Sequence, residues 1–415
     1  MKALYISLLM LSLLFKSNLT YSCTIFYVAK DNKVFAGNNE DWEDPYSKIY
    51  FYPPENHHHG WIKFGWGSGF PQGGMNDQGL FWDGSSGPYL AMPLSEANKE
   101  KYPTALMQKV IEECSNIEEA RGIFDRYYCE DQYKAQYLVG DSLGNSIIVE
   151  GDNIYSEDRD YLVLTNFYNS HPELGGYPCW RHETATNMLS SYTELSPYFV
   201  GSVLASTHQE GRYPTQYSNI YDLKNCTIYL FHFHNYEEFI IIDLVEELKK
   251  GYRSVDIPEL FSKINLLTPS DGEKIESTSV TISWEGMPGS SYEVIYSSES
   301  EFLEANSISQ TYISSDISNH SWLMFFMPGL LFIIPCVNRK KSIYLPIIIL
   351  FTGLFSFQCQ KEQITDPEVE VIEIKETIVN LLPETTYYWK IRAHSEGQDD
   401  FYSETITRNF ITEKK

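Results

Sequence analysis

Basic residues are scarce in this sequence: 31 Lys and Arg stand against 56 Asp and Glu, for a formal net charge of −25. A chain this acidic repels phosphate backbones, which excludes nucleic acid as a partner class. No run of like charges concentrates the acidity, so it reads as a solvated surface. Cysteines are few and scattered, at 23, 114, 129, 179, 226, 336 and 359, and no two form a C-x-x-C pair. That removes the common zinc and thioredoxin-like patterns, and no other motif asks for a metal or cofactor. His57-His58-His59 is a histidine run, but three adjacent side chains do not converge readily on one ion, and it reads as a solvated loop. His232 and His234 alternate on one strand face and read as packed side chains.

What is present is a long, aromatic-rich chain. Its 415 residues suit two or three domains, and 15% aromatic content argues for a folded chain whose 31 Tyr and 23 Phe fill a core or line an apolar pocket. The first 22 residues follow the plan of an export signal: Lys2, an apolar run from Ala3 to Phe15, then a polar stretch with small Thr20 and Ser22 ahead of Cys23. Cleavage after Ser22 would leave Cys23 at the new N-terminus. A lipoprotein signal is the rival, although bulky Tyr21 falls where that signal expects a small residue.

Residues 23–255 read as one α+β domain. Thr24 to Val28 and Val34 to Gly37 flank the polar turn Lys30-Asp31-Asn32-Lys33, a hairpin pattern. Tyr102 to Cys114 has helical spacing, and Ser115-Asn116-Ile117-Glu118 is a capping pattern that opens another helix towards Tyr127. Gln136 to Gly140 and Ser146 to Glu150 flank the turn Leu143-Gly144-Asn145. Tyr161 to Thr165 reads as a strand, Arg181 to Ser191 as a helix, and Thr227 to His232 with Glu238 to Ile242 as a strand pair. Strand hairpins alternating with helix pairs predict sheets covered by helices.

An N-terminal cysteine carries its own base, because its α-amine titrates near ~8 and lies close to the thiol. The residues around Cys23 give this weight. Cys23-Thr24, then Gly37-Asn38-Asn39-Glu40-Asp41-Trp42, Met75-Asn76-Asp77-Gln78-Gly79-Leu80, Val139-Gly140-Asp141, Leu164-Thr165-Asn166 and Pro178-Cys179-Trp180-Arg181 occur in that order. The pattern resembles the choloylglycine hydrolase and penicillin V acylase group of N-terminal nucleophile hydrolases, from Cys23 to about Gly251. The resemblance implies a four-layer αββα fold and a cysteine amidase that cleaves linear carbon–nitrogen bonds of a small N-acyl amide. It implies that Cys23 attacks, that Asp41 holds its amine and thiol, that Asn166 donates to the oxyanion, and that Arg181 stabilises the thiolate or binds a substrate carboxylate. Two positions depart from the pattern. Asn38 stands where the group has an arginine, and Ser86 falls where bile-salt hydrolases place an oxyanion-hole asparagine. Both remain candidates for substrate or oxyanion contact. The Asn76–Leu80 turn is expected to pack near the site without a chemical role.

The last third changes character. Val280 to Trp284 and Tyr292 to Tyr296 alternate as strands do, and the pattern resumes at Ile378 to Leu382, Thr386 to Ala393 and Thr405 to Ile411. Residues 265–315 and 365–412 resemble a fibronectin type III domain, a β-sandwich. It is interrupted by two apolar runs in 322–358 around Asn338-Arg339-Lys340-Lys341, each run shorter than the ~20 residues of a usual spanning helix. A membrane hairpin, a buried core segment and a sequence disruption that resembles a second export signal are the readings for it. The expected protein is therefore an exported cysteine amidase, periplasmic or on the cell surface, with membrane attachment if the hairpin spans. An acyltransferase of the same fold and a non-catalytic surface-binding protein are the alternatives. The sequence does not fix the oligomeric state.

Overall fold

The computed structural model describes residues 23–87, 99–130, 135–303, 305–311, 371–394 and 401–414. The expected export signal, 1–22, and the apolar pair in 322–358 lie outside the described residues. Among the described residues, no helix is long and apolar enough to cross a membrane.

The chain opens with β1 (Thr24–Lys30) and β2 (Lys33–Asp41). Asp31 and Asn32 join them with φ of 50° and 63°, the pair of left-handed residues that a tight two-residue hairpin turn requires. Pairing then runs from Lys30↔Lys33 back to Thr24↔Asn39. Next come β3 (Ser47–Tyr52), β4 (Trp61–Trp66), β5 (Pro71–Asn76) and β6 (Phe81–Ser86), an antiparallel meander. After β7 (Glu100–Lys101), helices α1 (Leu106–Glu113) and α2 (Ile117–Arg126) lead to β8 (Tyr127–Tyr128), which pairs with β7 in parallel. Strands β9 (Ala135–Gly140), β10 (Ser146–Glu150) and β11 (Asn153–Tyr155) extend the meander from β6, and β12 (Tyr161–Leu164) returns to pair with β1. Helices α3 (Trp180–Ser191) and α4 (Pro197–Thr207) precede β13 (Thr215–Asp222), β14 (Thr227–His232) and β15 (Asn235–Asp243). A short helix, α5 (Leu244–Leu248), and β16 (Arg253–Asp256) complete this part.

Two sheets result: β12-β1-β2-β13-β14-β15, and β11-β10-β9-β6-β5-β4-β3-β16. Their side chains alternate, so each sheet buries both faces. Ile25, Tyr27 and Ala36 of the first sheet meet Ile49, Phe64, Phe81 and Leu138 of the second. The opposite face of the first sheet, with Phe26, Val28 and Phe35, packs on Ala185 of α3 and Val200 and Leu204 of α4. The opposite face of the second, with Trp82, Val139 and Ile147, packs on Leu106 and Val110 of α1 and Phe124 of α2. Three apolar clusters separated by two sheets make four layers, αββα, as expected.

Local signals explain most of the boundaries. Asn116, rather than Ser115, caps α2 by accepting from the Glu119 N–H at 3.1 Å, while Glu119 accepts from the Ser115 N–H. Helix α4 was not anticipated from the sequence, although Ser196 caps it and Pro197 occupies its first turn. The Asn76–Leu80 turn has a mechanical task. Gly79 supplies φ of 76°, the left-handed conformation that glycine adopts without strain. Asn76, fully buried, donates to the Ile111 and Cys114 carbonyls at 2.8 Å each and accepts from the Gln78 and Leu80 N–H groups. It therefore ties the end of α1 to the second sheet. Asn76→Ala strands two helix-end carbonyls in the interior. It is expected to cost about 2–4 kcal/mol, since each unmet buried group costs ~1–3; denaturant unfolding reads this directly.

The C-terminal part comprises β17 (Asn265–Thr268), β18 (Glu273–Ile275), β19 (Val280–Gly286), β20 (Ser291–Ser297), β21 (Asn306–Thr311), β22 (Ile372–Ile378), β23 (Thr386–His394), β24 (Ser403–Thr405) and β25 (Arg408–Thr412). Two boundaries differ from expectation: β22 ends at Ile378, where the chain turns through Asn380 at φ 62°, and Thr405 to Ile411 divides between β24 and β25. The sheet β17-β19-β22 shares a core, centred on Trp284 and Trp389, with the sheet that holds β20, β23 and β25. That second sheet continues into the first sheet of the αββα part, because β24 pairs with β15 through Glu238↔Thr405 to Ile240↔Ser403. The open edge at β15 is thereby covered by chain from the far C-terminus, which removes an exposed pairing edge.

Candidate active site

The hairpin register decides what surrounds Cys23. Thr24 pairs with Asn39, so the preceding residue lies beside Glu40. The Cys23 thiol donates to Glu40 Oε1 at 3.2 Å. On its other side Glu40 pairs with Tyr217 of β13, next to an irregularity at Gln216. Glu40 Oε2 accepts from Asn38 Nδ2 at 3.3 Å. With the Gln72 amide oriented to accept from the Trp66 indole at 2.8 Å, its nitrogen donates to Glu40 Oε1 at 3.0 Å. Asp83 of β6 is fully buried near Glu40, and the Gly84 N–H and the Asn38 amide are the groups that favour its charge. Gly73 makes room for it: a Cβ there would fall 2.1 Å from Asp83 Oδ2.

Alternation sends Asp41 to the opposite face of the sheet. Its carboxylate accepts from Thr215 Oγ1 at 2.5 Å and Gln209 Nε2 at 2.7 Å, and lies 3.7 Å from Arg181 Nη1. Arg181, in the first turn of α3 and 4% exposed, spreads its guanidinium over several groups. Nη1 donates to the Cys23 carbonyl at 2.7 Å and Thr24 Oγ1 at 2.8 Å, and Nη2 donates to Asn166 Oδ1 at 2.9 Å. Asn166 follows β12, and its Nδ2 donates to Ser85 Oγ and the Ser86 carbonyl at 3.0 Å each. Cys23, Asp41, Asn166 and Arg181 are thus gathered at one point, from β1, β2, the end of β12 and the start of α3.

Several placements differ from the sequence-based expectation. Arg181 grips the backbone of Cys23 and orients Asn166. Ser86 presents its carbonyl, an acceptor, to Asn166; the buried hydroxyl beside Asn166 belongs to Ser85. Asn38 is fully buried with its amide turned to Glu40. The side chain bonded to the thiol is Glu40, which the sequence reading passed over in favour of Asp41.

Burial is the largest influence on the protonation states. Burial, reinforced by Glu40 and Asp41, raises the Cys23 thiol well above its ordinary range. Burial lifts Glu40 to about 8, against the thiol hydrogen bond that holds it down. Asp41 rises to about 7 through burial, opposed chiefly by Arg181. Burial, with Glu40 nearby, raises Asp83 well above the carboxylate range. The resting thiol is neutral, and its neighbours are acids that ionise reluctantly.

Cys23 and Glu40 open onto a cleft of about 1080 Å³. Its walls include Trp42, Trp61, Trp66, Trp82, Tyr52 and Phe70. Trp42 stacks on Trp66 with centroids 5.8 Å apart, and Tyr52 on Trp61 at 4.6 Å. Lys63, over the Tyr50 ring at 4.1 Å, adds a cation to the lining and Asp44 a carboxylate. Such a cleft takes an apolar group of substantial size.

No family model matches the sequence, and no curated protein matches it. Solved structures are similar to it. Penicillin V acylase from Agrobacterium tumefaciens is 15% identical with a TM-score of 0.44, covering 56% of this chain and 91% of that one. Two variants of conjugated bile acid hydrolase from Clostridium perfringens are each 17% identical, with TM-scores of 0.46 and 0.45, covering 57% and 56% of this chain and 96% and 97% of theirs.

Proposed function

We propose that this protein is an exported amidase that hydrolyses a linear N-acyl amide through a thioester on Cys23, after cleavage behind Ser22. The observation that carries the reading is the position of Cys23. Its thiol opens into an aromatic cleft, while one buried arginine holds its carbonyl, the adjacent Thr24 and Asn166 together. Sγ attacks the acyl carbonyl carbon and a C–S bond forms. The carbonyl oxygen becomes an oxyanion, and the Asn166 amide turns from the Ser86 carbonyl to donate to it; a donor of this kind is worth ~10²–10³ in rate. The C–N bond breaks, and the amine leaves with the proton that the thiol gave up. Water then cleaves the thioester, which releases the carboxylic acid and restores the thiol. The aromatic walls favour a large apolar acyl group.

Sequencing the mature N-terminus and assaying that chain on N-acyl amides with small, aliphatic and aromatic acyl groups tests the reading. The expected result is a chain that begins at Cys23 and releases acid and amine in equal amounts, fastest for the large apolar acyl groups. A mature chain that begins upstream and turns over none of these amides contradicts it.

A further inference from the structure

We infer that Glu40 is a catalytic residue: its carboxylate takes the Cys23 thiol proton during attack. The inference rests on the amidase reading above and adds a base to it. Glu40 meets the geometric requirement for a general base, because the thiol already donates to its Oε1 at 3.2 Å. Its orientation is fixed from two strands, by Asn38 on β2 and Gln72 on β5. It also lines the cleft beside Cys23, so the proton it accepts remains next to the reacting centre. The wider setting agrees. Asn38 supplies no charge to favour a standing thiolate, and the buried acids oppose one, so the thiol must shed its proton as it attacks.

The proton balance is closed. As the Sγ–C bond forms, the Sγ proton moves to Glu40 Oε1, which becomes a neutral carboxyl. As the C–N bond breaks, that carboxyl returns the proton to the leaving nitrogen. Attack of water on the thioester repeats the cycle, with Glu40 accepting a proton from water and returning one to the departing sulfur.

The titratable side chains around Glu40 are Cys23 just before β1, Asp83 on β6, and Tyr217 and Tyr221 on β13, with Asp41 acting from the other face of its own strand. All are acids, and burial raises each of them; cleavage behind Ser22 adds the Cys23 α-amine as the cation beside them. Glu40 itself is lifted to about 8. A base must be ionised to work, so amide turnover falls as pH drops through about 8.

The test pairs two readouts on wild type, Glu40→Gln and Glu40→Asp, each first checked by thermal unfolding. One readout is turnover of N-phenylacetyl-4-nitroaniline and N-decanoyl-4-nitroaniline between pH 5 and 10, with acyl-Cys23 detected by mass. The other is alkylation of Cys23 by iodoacetamide, which reads thiolate formation without any substrate. Glu40→Gln is expected to slow turnover by about 10²–10³-fold and abolish the limb near pH 8. Alkylation above pH 8, where Glu40 is ionised in the wild type, should be equal or faster, because a negative neighbour of the thiol is gone. Glu40→Asp keeps the charge and retains the limb at an intermediate rate. Turnover of Glu40→Gln within threefold of wild type, with the limb intact, overturns the role of Glu40 and leaves the amidase reading standing. Absence of acyl-Cys23 in wild type with both probes overturns both.

Discussion

Cys23→Ala is expected to fold with near-native stability and to lose amide turnover by at least ~10³-fold, the scale seen when a covalent nucleophile is removed. Both halves of that expectation come from the packing. The Cys23 backbone is held through its carbonyl by Arg181, and β1 is paired on both sides, by β2 and β12. Those interactions do not involve the sulfur. Removing Sγ takes away one weak hydrogen bond to Glu40 and little volume. A variant that unfolds would mean that the thiol is structural. A variant that still turns over the amide would remove Cys23 from the chemistry. Unfolding midpoints and initial rates on the same preparation separate these outcomes.

Arg181→Ala is expected to damage stability and activity together. The guanidinium is 4% exposed and lies 3.7 Å from the buried Asp41 carboxylate. Breaking a buried ion pair from one side costs up to about 3–5 kcal/mol where the partner charge stays in the interior, and protonation of Asp41 reduces that cost here. Arg181 is also the principal influence that keeps Asp41 from rising further. Without it, Asp41 takes up a proton at neutral pH. Asn166 loses the donor to its Oδ1, and the Cys23 carbonyl loses its hold on α3. Turnover should fall by about 10²-fold or more, the scale of a lost oxyanion donor. Arg181→Lys should recover little, since a single ammonium cannot reproduce a fork that reaches Cys23, Thr24 and Asn166 together. Denaturant unfolding and the rate measured below the unfolding range report the two effects separately.

Much of this arrangement was legible in the sequence, and what was not has physical reasons. Long alternating strands and the polar turn at Asp31-Asn32 gave the first hairpin, and the order Cys23, Asp41, Asn166, Arg181 identified four side chains that the fold gathers. The meander β3 to β6 was not anticipated. Gly65, Pro71, Gly73 and Gly74 interrupt the alternation of β4 and β5, and β4 to β6 are buried on both faces, so little period-two signal survives there, whereas β3 does alternate. Helix α4 has a capping serine and a first-turn proline, but its mid-section, Val200-Gly201-Ser202-Val203, contains the residues that helices favour least. The bond between Cys23 and Glu40 could have been found: a two-residue turn at Asp31-Asn32 fixes the register, and the register puts Cys23 beside Glu40. The motif position falls on Asp41, and neighbouring residues on a strand face opposite ways, so Glu40 meets the thiol and Asp41 does not. The contact of β24 with β15 could not be found, since nothing local in Ser403–Thr405 specifies which edge it covers.

The central claim is that an acyl group resides on Cys23 during turnover. The direct measurement is acid quenching of the mature protein within seconds of mixing with N-decanoyl-4-nitroaniline, followed by peptide mass spectrometry. The account predicts a decanoyl thioester on the peptide that begins at Cys23, present during turnover and gone once the amide is consumed. Steady release of amine with an unmodified Cys23 at every time point would contradict it.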